Sequence, residues 1–155
     1  MKKIFLMVAM VAATFSQASF AQEKTAALST ILSEYYAIKD ALVSGNAGLA
    51  SAKANDFIKA AAEASNLTEA SRAALVKDAS SIAKTKELKK HREYFSAFSE
   101  NMFELAKATR LSSDPVYKAF CPMVKASWLS NAPAIKNPYY GSSMLSCGKV
   151  VETLK

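Results

Sequence analysis

Leu88-Lys-Lys-His91-Arg-Glu-Tyr-Phe95-Ser-Ala-Phe98-Ser-Glu-Asn-Met102-Phe-Glu-Leu105 is the stretch that decides the fold. Leu88, Phe95 and Met102 recur at one seven-residue interval, and His91, Phe98 and Leu105 at another. The two sets interleave as an a/d seam, which marks an amphipathic helix packed along one stripe. Thr85 stands where an N-cap is wanted, so the helix is expected over about 86–110.

Working towards the N-terminus, three more helical periods follow. Leu28, Ile31, Leu32, Tyr35, Ile38 and Leu42 define a first helix over about 24–43, and Gly45-Asn46 turns the chain. Ala50, Ala54, Phe57, Ile58 and Ala61 define a second over about 47–64, with small side chains that let helices approach closely. Thr68 caps a third, about 68–84, whose apolar face carries Leu75, Ala79 and Ile82. Four such helices with short loops read as an all-α, antiparallel four-helix bundle. All four prolines (115, 122, 133 and 138) fall after residue 112, so an irregular Pro/Gly/aromatic-rich segment, 111–155, is expected to pack on the bundle.

Residues 1–21 have the layout of a signal peptide. Lys2 and Lys3 precede an apolar run from Ile4 to Phe15, and Ser19 and Ala21 are the small residues before a cleavage point. That run of about 12 residues is short of the ~20 that span a bilayer. The expectation is an exported, periplasmic or secreted protein whose remainder, 22–155, is one helical domain and does not span a membrane. The formal charge is +7 with interspersed signs. The densest basic run, Lys84 to Arg92, reads as a solvated helix start, because no alternation with aromatics suggests base stacking. Nucleic acid is therefore not an expected partner.

The C-terminal segment holds the chemistry. Cys121 and Met123 are two apart, which in an extended chain puts both side chains on one side. Met144 and Cys147 are three apart, which puts both on one face of a helical turn. Two thiolates and two thioethers can thus be presented to one point, and such soft donors select Cu(I) over harder ions. The competing reading is a metal-free structural or protein-interaction module with a Cys121–Cys147 disulfide, natural in an oxidising compartment, and both methionines as core filling. His91, the single histidine, is either a nitrogen ligand or a partly buried helix residue. His91 and Met102 share a helix face but lie roughly 16 Å apart along it, so at most one of them can join a site. Trp128, Tyr139 and Tyr140 are expected to dock the segment on the bundle. An enzyme is not expected: the segment after 111 offers only Asp114 and Glu152 as acids, with no serine elbow or phosphate loop, and a Cys121–His91 pair lacks a third orienting group.

Taken together, Tyr117-x-x-x-Cys121-Pro122-Met123, Trp128-Leu129-Ser130, Ile135-x-Asn137-Pro138-Tyr139-Tyr140-Gly141 and Met144-Leu145-x-Cys147-Gly148 resemble the domain of unknown function 3347 family. Arg92-x-x-Phe95, Ser99 and Met102 extend the likeness upstream, so that it is close over 88–151 and loose elsewhere. The resemblance implies an exported helical domain, found alone or attached to CusB-type heavy-metal efflux adaptors. It further implies copper or silver binding, with Cys121, Met123, Met144 and Cys147 as ligands and His91 or Met102 as an addition. One departure is the short link Val124-Lys-Ala-Ser127 where family members carry a longer, glycine-containing stretch.

Overall fold

The computed structural model describes residues 26–155. The expected signal peptide lies outside them. Four helices come first: α1 (26–43), α2 (Ala47–Glu63), α3 (Glu69–Lys84) and α4 (Leu88–Ala108). Two of the starts are capped by their own sequence. Asn46 accepts the Leu49 N–H at 2.9 Å to open α2, and Thr68 Oγ1 accepts the Ser71 N–H at 3.2 Å to open α3. Thr85 does not cap α4. Its hydroxyl accepts the Glu87 N–H in the preceding turn, and Glu87 occupies the cap position without a side-chain bond.

The segment after α4 corrects the all-α expectation. It forms an antiparallel three-stranded sheet in the order β2-β1-β3, built from β1 (Val116–Cys121), β2 (Ala126–Ser130) and β3 (Lys149–Leu154). Cys121 pairs with Ala126 where β1 turns into β2, and Phe120 pairs with Lys149 on the other side. A 3-10 turn, Gly141–Met144, lies between β2 and β3. The architecture is a helical bundle with a C-terminal sheet.

The core is continuous across both parts. Ala50, Ala54, Phe57 and Ala61 are the buried stripe of α2, and α4 buries Phe95, Phe98 and Met102. Tyr35 of α1 stacks on Phe95 at 5.3 Å, and Phe57 meets Phe98 edge-on at 4.7 Å. One hydroxyl ties the sheet to this cluster by hydrogen bonds. Tyr35 Oη contacts Ser99 Oγ at 2.7 Å and accepts the Leu129 N–H of β2 at 3.0 Å. β2 is an edge strand, so an outward N–H there needs a partner from elsewhere. Tyr35→Phe strips that partner from a buried donor and is expected to cost about 1–3 kcal/mol, read as a lower urea midpoint with an unchanged m-value. A second tie is Lys118 of β1, whose Nζ sits 3.4 Å from the centre of the Phe103 ring and 3.3 Å from Glu100 on α4.

Candidate functional site

Cys121 ends β1, fully buried, and the turn 122–125 follows it. Cys147 follows the 3-10 turn, its N–H bonded to the Met144 carbonyl at 3.1 Å. The register of β1 with β3 brings the two segments side by side, and the sulfurs meet at 3.2 Å across 26 positions of chain. Both are free thiols. Gly148 makes the approach possible. Its φ is +143°, and a Cβ there would lie 2.8 Å from the Trp128 ring and 3.0 Å from the Phe120 carbonyl.

The two thiols are electrostatically unequal. Burial pushes the Cys121 pKa up, but the Val124 N–H, the Cys147 thiol, the Met123 N–H and the Asn137 amide outweigh it, and the net direction is down. Cys147 moves up, first through its hydrogen bond to Cys121, then through burial and the Cys121 charge. Of the two, Cys121 is the sulfur that ionises more readily.

Asn137 organises the loop behind them and is fully buried. Its Nδ2 donates to the Cys147 carbonyl at 2.7 Å, its N–H to the Leu145 carbonyl at 2.8 Å, and its Oδ1 accepts the Tyr139 N–H at 2.8 Å. Tyr139 donates its hydroxyl to the Ser127 carbonyl at 2.6 Å. Its ring lies between Trp128 of β2, 6.1 Å away, and Phe95 of α4, 5.9 Å away, which docks the loop on the bundle. Tyr140 is half-buried beside it. The Asn-Pro signal marks Asn137 as a turn former; its tie to Cys147 has no sequence signal.

The methionines of this segment are at the surface. Met123 lies in the turn rather than in the strand and is 62% exposed, and Met144 ends the 3-10 turn and is 37% exposed. Both flank the thiols in sequence, and neither is core filling.

His91 and Met102 sit elsewhere. Met102 is buried in the helical core. His91 is buried against α2, with Nε2 2.9 Å from Ser51 Oγ, and Ser51 in turn donates to the Thr85 carbonyl. Burial holds the His91 pKa below its usual value, against opposing hydrogen bonds to Ile82 and Thr85. The unfolded chain therefore takes up the proton first. Stability contributed by neutral His91 is complete above about pH 6.5 and falls as the pH drops from there towards the lower folded pKa. Denaturation midpoints measured from pH 7.5 to 5.5 should decline for the native chain and decline less for His91→Gln.

Among the described residues no three His, Cys, Asp or Glu side chains gather as a metal cluster, and no helix is long and apolar enough to cross a membrane. A site here would rest on the cysteine pair and the thioethers. Comparison with curated proteins and with solved structures finds no match. A family model described as a protein of unknown function, DUF3347, matches residues 31–114. The matched segment runs from α1 to the residues just before β1, so the sulfur-bearing sheet lies beyond it. The match spans more than half of the 155 residues, and the chain belongs to the DUF3347 family.

Proposed function

We propose that this protein binds a soft monovalent metal ion, Cu(I) or Ag(I), through Cys121 and Cys147, with Met123 and Met144 as thioether donors at the surface. The observation that carries this reading is the 3.2 Å contact between two free sulfurs. Its chemistry fits the ion. Polarizable sulfur suits a soft d¹⁰ cation, and backbone and amide donors beside Cys121 favour the thiolate a metal needs. Met123 and Met144 are exposed and lie two and three positions from the cysteines, which leaves their thioethers free to join a ligand set. A bound ion would neutralise the paired thiolates; what the chain supplies is their convergence and the N–H groups that stabilise their charge.

The role that follows is binding, buffering or delivery of copper or silver in an exported compartment, without catalysis. The company kept by the domains it resembles makes a CusB-type efflux adaptor the proposed recipient. Anaerobic titration of the reduced protein with Cu(I) against a competing chelator should give one tightly held equivalent. Failure of the reduced protein to hold copper ends this reading.

The same contact supports a second reading, a structural Cys121–Cys147 disulfide. Sulfurs at 3.2 Å need only close to about 2.05 Å, and they sit on neighbouring chain segments. Oxidation consumes both thiolates, so this state and the metal-bound state exclude each other. Alkylation and mass spectrometry of protein taken unreduced from its own compartment separate them. A quantitative bridge that resists mild reductant favours the structural reading, and alkylated thiols favour the metal.

A further inference from the structure

Beside the sulfur pair, α4 and the tail line an open cleft of about 520 Å³. Its walls are apolar: Leu88 from α4, Val124 from the β1–β2 turn, and Tyr139 and Tyr140 from the loop. Volume and lining fall in the range of small-molecule sites. The charges along it are not balanced. Glu93 is held by Lys90 at 3.0 Å, whereas Lys89 and Arg92 have no ion-pair partner among the described residues.

Arg92 is the informative residue. Its Nη2 donates to the Leu42 carbonyl at 3.1 Å, and its Nε is buried with no partner. Arg92 is half-buried, and burial lowers its pKa. A partly desolvated guanidinium without an ion-pair partner gains from a carboxylate, which it binds by charge-assisted hydrogen bonds. Lys89, exposed at the rim, adds attraction of the same sign.

We propose that this cleft binds a small molecule with an apolar body and one carboxylate head group, the body against Val124, Tyr139 and Tyr140 and the head towards Arg92 and Lys89. The proposal does not depend on metal at the thiols.

The test is an NMR titration of the metal-free, reduced protein with three probes of equal chain length: octanoate, octanol and octyltrimethylammonium. Octanoate should shift the Ser96, Val124 and Tyr140 amide signals saturably. Octanol should bind at least about tenfold more weakly, and the cation should not bind. Lys89→Glu, an exposed change that leaves the fold intact, should weaken octanoate about fivefold or more, and Arg92→Met should abolish its binding. If Arg92→Met does not fold, Lys89→Glu decides. Equal binding of the three probes, no saturable shift with octanoate, or an unaffected Lys89→Glu variant overturns the proposal. So does tighter binding of an apolar acidic decapeptide than of octanoate, because the occupant would then be a protein segment.

Discussion

Cys121→Ser and Cys147→Ser should each lower the affinity of the reduced protein for Cu(I) by at least about 1,000-fold. Loss of a group that merely orients a metal ligand costs 10–100-fold, and loss of a thiolate ligand costs more, because serine offers a hard, protonated oxygen to a soft ion. Met123→Leu and Met144→Leu keep volume and remove the thioether. They should cost about tenfold each, since exposed side chains contribute less than the converged pair. Asn137→Ala tests the layer behind. It removes the amide beside Cys121 and the bond to the Cys147 carbonyl, and should weaken binding by about 10–100-fold while both thiols remain. Competition titrations with one chelator place all five variants on one scale. The order that contradicts the account is a cysteine variant that binds as tightly as the native chain.

The second large effect is structural. Gly141→Ala should destabilise the fold by about 2–5 kcal/mol. Gly141 has φ +56°, and a left-handed backbone costs a non-glycine residue roughly 1–3 kcal/mol. A Cβ there would also lie 2.7 Å from Arg92 Nη2 and 2.8 Å from the Val43 carbonyl. The second of these is backbone at the end of α1 and cannot swing aside, and such overpacking adds about 1–3 kcal/mol. The clash would lift the loop away from α1, and with it the Asn137 and Tyr139 contacts that carry Cys147. Urea unfolding followed by circular dichroism gives the number. Ser142→Ala, one residue on and exposed, should stay within about 0.5 kcal/mol of the native chain.

The helices were legible because burial follows the spacing of their apolar residues. Leu75, Ala79 and Ile82 are the buried face of α3, and Thr68 caps it as its position suggests. The sheet was not legible, for two physical reasons. Its first strand does not alternate cleanly between buried and half-buried residues, because the pairing of β1 with β3 shifts register between Lys118 and Ala119. Its hairpin also hides its turn. The residue in the left-handed region is Lys125, at φ +53°, where a glycine or asparagine would have announced a tight turn. Aromatic and β-branched residues in Val116-Tyr117 and Phe120, and in Trp128, were the signal available for strands.

The candidate site was legible as a set of residue types but not as a geometry. Two Cys–Met pairs flanking a proline and glycine loop suggest convergence, and the strand pairing that produces it joins residues 26 positions apart. His91 was ambiguous in sequence because a histidine on an apolar stripe serves a core hydrogen bond as readily as a ligand role. Here it bonds Ser51. Arg92 was legible only as the end of a basic run and as part of the Arg92-x-x-Phe95 likeness. Its lack of an ion-pair partner among the described residues, and its place in a largely apolar cleft, emerge only once the tail has folded over α4.

X-ray absorption at the copper edge of the Cu(I)-loaded, reduced protein tests the central claim most directly. An all-sulfur coordination shell, lost in the Cys121→Ser/Cys147→Ser double variant, is the expected spectrum. A shell dominated by nitrogen or oxygen, or copper that leaves the protein on gel filtration, would contradict the sulfur-pair site.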